Sequence, residues 1–277
     1  MSQSFHINAA PQPILLDHYR DILRQHGSNA SRSPMTLLNK FGRDELFYVP
    51  FEHMNLSAKL VIVGISPGPK QIAMAYEAVQ ASLVAGFSDE LVLKHAKQHG
   101  SFGGPTMRPN LIKMLEFFGI HQRLNISAAS ELWASASFLL HATSVVPHAA
   151  IRNGKPFAGS FQEVLRSEPF RISFERDFAT TLPLLPRDAR YIALGPTPLA
   201  ALDWCAEQDL IRKDQVLGAF AHPSSSGGSA VPVYLGKRIE ELKPRDPVAK
   251  RGWLIRDAAR MSRAVEAWDG PINCVAA

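Results

Sequence analysis

The run Lys59-Leu-Val-Ile-Val-Gly64 is apolar and β-branched at almost every position, and it stops at a turn-forming sequence, Gly64-Ile-Ser-Pro-Gly-Pro69. A strand with one wet face alternates apolar and polar residues. A strand apolar throughout needs cover on both faces, which a parallel sheet wrapped by helices supplies. Three further stretches read as strands: 137–141 continued by 142–146, 191–194 before a Gly-Pro turn and a helix, and 216–221 running into His222-Pro-Ser-Ser-Ser-Gly-Gly228. Helical spacing predicts helices over 71–85 and 110–118, and strands alternating with helices imply a three-layer α/β fold with a central, mainly parallel sheet. The first 55 residues read as two short helices, 13–26 and 33–39, in a polar leader. Residues 1–57 are thus expected to form a helical leader packed on an α/β domain of residues 58–277, the whole being a single globular unit.

A chain of 277 residues with 46% hydrophobic and 20% charged residues can bury a sizeable core, which excludes disordered, collagenous and coiled-coil classes. Its longest apolar stretches fall far short of the roughly 20 residues that span a bilayer. The start Met1-Ser-Gln-Ser-Phe5 has neither a basic segment nor an apolar core, so a cytoplasmic protein without membrane contact is expected. Two cysteines, Cys205 and Cys274, cannot build a disulfide framework or a four-cysteine metal site. The formal charge is +5, and it is uneven: between Gly236 and Arg263 nine basic residues, Lys237 and Arg238 to Arg260 and Arg263, face four acidic ones. Such a segment is either a solvated helix face or a surface for polyanions.

In parallel sheets the ligand sits beyond the carboxyl ends of the strands, where the two most unusual loops, 64–69 and 222–228, are expected. Gly64-Ile-Ser-Pro-Gly68 satisfies the G-x-S-x-G pattern of a nucleophile elbow, and a triad of Ser66, one of Asp203, Asp209 or Asp214, and His222 can be written. Pro67 argues against it, because the residue after the nucleophile must offer a backbone N–H to the oxyanion and proline has none. The same turn lacks the lysine and Ser/Thr of a phosphate-binding P-loop. In the second loop an imidazole at a strand end precedes three hydroxyls and two glycines, which allow close backbone approach to a phosphate or a groove.

Taken in order, these stretches resemble the uracil-DNA glycosylase superfamily over residues 58–230. Val61-Ile-Val-Gly-Ile-Ser-Pro-Gly-Pro69 is similar to its first motif (G-I-N-P-G, G-M-N-P-G-P or G-E-A-P-G), and Ala221-His-Pro-Ser-Ser-Ser-Gly227 to its last, H-P-S followed by small residues. Phe102-Gly-Gly, Leu111-Ile-Lys-Met-Leu115 and Gly119-Ile120 resemble a stretch of its iron–sulfur branch, whose T-N-V-V is met by Thr143-Ser-Val-Val146. Tyr191-Ile-Ala-Leu-Gly195 and Ala200-Ala-Leu202 resemble the strand and helix before the last motif, and the Pro-Gly-Pro form is similar to the single-strand-selective monofunctional branch.

The resemblance implies an enzyme that cuts the N-glycosidic bond of a base flipped out of double- or single-stranded DNA. His222 matches the donor that stabilises charge on the departing base, and Phe102 the ring that stacks on it. Pro67, Gly68 and Pro69, with Ser224, Ser225, Ser226 and Gly227, match loops that grip the DNA backbone. Two departures stand out. Where the first motif carries a water-positioning Asp, Asn or Glu, this chain has Ile65 and Ser66, so Ser66 becomes the water positioner and Ile65 is expected at the base. Where an asparagine reads the uracil edge stands Ser144, or Thr143 if the register slips by one. A hydroxyl is shorter and less discriminating than an amide, which favours a modified pyrimidine, such as the modified cytosines of phage DNA, over uracil. Without cluster cysteines no iron–sulfur centre, metal or organic cofactor is expected. With only Lys70 near a motif the enzyme is expected to be monofunctional, and no obligate protein partner is implied. The alternatives are a catalytically silent nucleic-acid binder of the same fold and a serine hydrolase using Ser66.

Overall fold

A computed structural model describes residues 15–224, 228–242, 246, 248 and 252–269. Among these, eight strands form two sheets. The parallel sheet contains β3 (Leu60–Gly64), β4 (Leu140–Ser144), β7 (Arg190–Leu194) and β8 (Val216–Phe220) in the order β4-β3-β7-β8. The antiparallel sheet contains β1 (Leu37–Phe41), β2 (Asp44–Phe47), β5 (Ala149–Arg152) and β6 (Lys155–Pro156) in chain order. The helices are α1 (Leu16–His26), α2 (Pro69–Val84), α3 (Asp89–Gly100), α4 (Met107–Phe117), α5 (Ile120–Arg123), α6 (Phe161–Arg166), α7 (Glu168–Ser173), α8 (Pro196–Glu207), α9 (Ala230–Tyr234) and α10 (Trp253–Glu266). No helix among the described residues is long and apolar enough to cross a membrane.

The expected α/β architecture with a central parallel sheet is present, and β3 is buried at every position, as its composition requires. Leu60 and Ile62 join Leu140, Ala142, Ile192 and Leu194 in a core that includes residues of α4, α9 and α10. Val61 and Val63 point the other way, into a core with Ala201, Leu202 and Cys205 of α8 and the phenylalanines 161, 170, 174 and 178. A third cluster packs Leu16, Tyr19 and Leu23 of α1 on Ile72, Tyr76 and Val79 of α2.

Three expectations are corrected. Residues 33–39 are not a helix: Pro34–Thr36 makes one tight turn and Leu37 opens β1. The cause is tertiary. Gly42, at φ +57°, lets the chain reverse into β2, and β2 pairs with β5 about a hundred residues later, a partner no local window contains. The expected leader therefore shares a sheet with the expected domain across the 57/58 boundary. The strand predicted over 137–146 is shorter, because 137–139 form a 3-10 turn before β4 begins. Helix α3 and the helices between 161 and 184 were not anticipated.

Candidate functional site

The chain enters the parallel sheet at β3, steps to β4 on one side, then crosses back to β7 and β8 on the other. The loops leaving β3 and β7 diverge, and the crevice between them at the carboxyl ends is the usual ligand position in such sheets. Register puts Gly64 beside Ser144 and Val63 beside Thr143. Because side chains alternate along a strand, Ser144 rather than Thr143 joins Gly64 on the face that holds Phe102. A methyl group placed on Gly64 would stand 3.3 Å from Phe102 Cε1 and 3.3 Å from Ser144 Oγ. Three residues from separate parts of the chain thus meet where the glycine leaves room. The expectation that Ile65 lies at the base is corrected: side chains alternate along the strand, so it turns to the opposite face, against the core around Val61 and Val63.

Phe102 is held in an unusual conformation. Its φ is +52°, a region that costs a bulky residue roughly 1–3 kcal/mol, and its side chain is 4% exposed. Its backbone N–H donates to Gln71 Oε1 at 3.1 Å, so the start of α2 fixes this turn. The ring packs in the core beside Gly64.

His222 follows β8. Ser224 N donates to His222 Nδ1 at 3.4 Å, and Ser224 Oγ lies 2.8 Å from the same nitrogen. The hydroxyl contact suits either tautomer; the one in which Nδ1 accepts from the backbone N–H leaves the proton of the neutral ring on Nε2. Burial holds the imidazole below its ordinary pKa, which keeps this donor neutral at pH 7. Helix α4 ties the two loops together. Arg108 Nη2 donates to the carbonyls of Gln98, His99 and Ser101 at 2.9–3.1 Å, and Asn110 Nδ2 donates to Pro223 O at 2.9 Å. Two side chains two residues apart on one helix thus hold the Phe102 turn and the His222 loop in register.

Ser66 is committed elsewhere. Its hydroxyl donates to His148 O and accepts from Ala150 N, both at 2.9 Å, stapling the β3 loop to the start of β5. One acceptor lone pair is left. No imidazole takes its proton, and Asp214 pairs with Arg190 and Arg212 before β8, at the end of that strand opposite to His222. This geometry gives a serine nucleophile no base. Pro67 is buried, while Pro69 is exposed and begins the 16-residue α2. The helix N-terminus there favours negative charge. Ser225, Ser226 and Gly227 lie outside the described residues, as do Lys243, Arg245, Lys250, Arg251 and Cys274. Lys237, Arg238, Arg256 and Arg263 are exposed. Buried Cys205 has its thiol pKa pushed up by desolvation, and the described residues contain no cluster of His, Cys, Asp or Glu able to hold a metal ion.

Over 199 residues the chain is 30% identical to YoxB, an uncharacterized protein of Bacillus subtilis (strain 168), an alignment spanning 72% of this chain and 77% of YoxB. The chain belongs to the YoxB family. No family model matches it, and no solved structure does.

This YoxB-family chain also carries buried polar groups that sequence reasoning did not single out. Gln71 and Asn110 position the crevice loops. His148 accepts from Val49 N through Nδ1 at 3.2 Å and faces Asp177 Oδ2 at 3.6 Å. Glu52 accepts from the Tyr48 hydroxyl at 2.9 Å, and desolvation lifts its carboxyl to about 7. His53, Lys97 and His141 lie nearby, all with pKa values lowered chiefly by burial. One signal was available: on α3, Lys97 falls on the apolar stripe of Val92, Leu93, Ala96 and Gly100, where a solvated lysine does not belong.

Proposed function

We propose that the crevice hydrolyses the N-glycosidic bond of a pyrimidine flipped out of DNA, leaving an abasic site. The observation that carries this reading is the meeting of Gly64, Phe102 and Ser144 at the strand ends, with a neutral, Nε2-protonated His222 on a loop tethered by the same helix as the Phe102 turn. A departing pyrimidine gathers negative charge on its ring oxygen as the sugar becomes oxocarbenium-like. A fixed donor aimed at that oxygen acts mostly in the transition state, and removing one such donor typically costs about 10²–10³-fold in rate. A neutral imidazole suits the role, since no proton need be lost or gained.

Ser144 reads the base edge. Its hydroxyl both donates and accepts, so it tolerates the amino edge of a cytosine as well as the carbonyl edge of a uracil, and its shortness leaves room for a substituent. A modified cytosine of the kind found in phage DNA is therefore the favoured substrate, and defence against such DNA the favoured role. Ser66 can offer the attacking water one acceptor lone pair and no base. The reaction must then rest on leaving-group stabilisation, with water capturing an already formed cation. Pro69, Ser224 and the exposed arginines of α10 supply contacts to phosphates.

The occupied hydroxyl of Ser66 also favours a second reading, a protein that binds DNA in this crevice without cutting it. Oligonucleotides bearing uracil, hydroxymethylcytosine or glucosylated cytosine, in duplexes and single strands, separate the two. Mass spectrometry should find a free base and an abasic strand from at least one of them. Salt-dependent binding with every strand intact would instead favour the silent binder.

A further inference from the structure

Along the open edge of β4 lies a second cavity of about 360 Å³, bounded by residues 53–57, by α3 and by Trp133 and Phe138. Gly64, Phe102, Ser144 and His222 do not line it. Its rim is apolar, with Leu56 and Phe138 61% and 56% exposed, and Lys97 lines it from α3 while only 8% exposed. The amine of Lys97 donates to His53 O at 2.6 Å. Glu52 acts on it only through space. An ammonium has three donors, and burying one with a single acceptor and no paired carboxylate is costly. Accordingly desolvation lowers its pKa to about 7, so that near neutrality much of it is free amine. An uncharged, sheltered amine is a nucleophile toward carbonyl carbon.

We propose that this cavity is a ligand site in which Lys97 Nζ captures a small aldehyde or ketone, preferably aromatic, as an imine. The nitrogen lone pair forms the C–N bond while the carbonyl π pair moves to oxygen. Transfer of one N–H proton to that oxygen gives a carbinolamine. Departure of its hydroxyl together with the second N–H proton, as water, leaves C=N, so amine and carbonyl give imine and water with no change of oxidation state. The surroundings favour a carbonyl ligand over an anion. His53 is held down to about 4 and His141 well below its ordinary value, so both are neutral, and at the rim Lys94 is offset by Glu90. Glu52 adds only negative charge when it ionises. Trp133 and Phe138 give the cavity flat walls on which a ring can lie.

The proposal is independent of any activity on DNA, and wild-type protein tests it. The full chain is incubated at pH 7 with benzaldehyde and cyanoborohydride, which reduces the imine to a stable benzylamine, and every lysine is followed by peptide mass spectrometry. Lys97 is expected to be benzylated at least about tenfold faster than Lys94 and Lys70, whose amines are exposed to water. The rate at Lys97 should saturate with benzaldehyde and fall when benzyl alcohol, which fits the cavity and cannot react, is added. Lys97→Met should abolish the fast phase, and should that variant not fold, the competition by benzyl alcohol decides alone. Labelling of Lys97 no faster than Lys94, or a rate linear in benzaldehyde and indifferent to benzyl alcohol, overturns the proposal.

Discussion

Gly64→Ala separates the crevice from the stability of the sheet. The added methyl stands 3.3 Å from both the Phe102 ring and the Ser144 hydroxyl, a contact the neighbours relieve by moving a few tenths of an ångström. The strand itself loses nothing, because Gly64 is extended and alanine fits there. Unfolding should therefore change by no more than about 1–2 kcal/mol, within the ordinary range for overpacking, whereas base release should fall at least about tenfold if the base enters beside Gly64 as proposed. Denaturant titration and a base-release assay on the same preparation check both halves. Ser66 teaches the converse lesson. Its place in a G-x-S-x-G pattern drew attention as nucleophile or water positioner, yet the hydroxyl spends its proton on a backbone carbonyl of the neighbouring sheet. A side chain's hydrogen-bond partner is a tertiary fact, and no motif spacing carries it.

Among the elements, α4 carries both tethers of the proposed site, Arg108 to Ser101 O and Asn110 to Pro223 O. Asn110→Ala removes the amide that holds Pro223 O, and an exchange of one partly buried hydrogen bond costs about 1 kcal/mol of stability. A loosened His222 loop should lower the rate of base release by more than that stability loss accounts for, with DNA affinity nearly unchanged. A rate equal to wild type would mean that the tether is only structural. The elements that were legible are those whose signal is local. Strands β3, β7 and β8 are short apolar runs ending at Gly or His-Pro, and α2 and α8 start at prolines suited to a first helical turn. The antiparallel sheet was not legible. β1 carries two adjacent leucines that suit a helix equally well, and only its pairing through β2 to β5 decides between them. Of the site, Phe102, Ser144 and His222 were named from the sequence, and the structure brings Phe102 and Ser144 together over Gly64, whereas Ile65 and Ser66, named beside them, face the other core or bond to the neighbouring sheet. Asn110, Arg108 and Gln71 were not, because a polar residue at a helix start gives no hint of which distant carbonyl or amide it serves.

For the molecule as a whole, the buried imidazoles set an acid limit. His53, His141, His148 and His222 all have folded pKa values below the ordinary 6.5. The unfolded chain therefore binds more protons as the pH falls below 6.5, and stability that is complete above that value is lost on acidification. Glu52 opposes this, since a carboxyl raised to about 7 from 4.5 favours the folded state while protonated and loses that contribution as pH rises through this window. Four groups outweigh one, so the melting temperature measured by calorimetry should drop between pH 7 and pH 5. In Glu52→Gln the drop should be steeper, with greater stability than wild type above pH 7. An unchanged melting temperature across this range would contradict the burial of those histidines. The central claim, however, is chemical: the crevice at the carboxyl ends of the parallel sheet breaks a glycosidic bond by stabilising the departing base through His222. Its most direct test is the single-turnover rate of base release from a glucosylated-cytosine oligonucleotide, measured for wild type and His222→Ala under saturating protein. The account predicts release by wild type and a loss of about 10²–10³-fold in the variant at unchanged DNA affinity. Equal rates in the two proteins would contradict it.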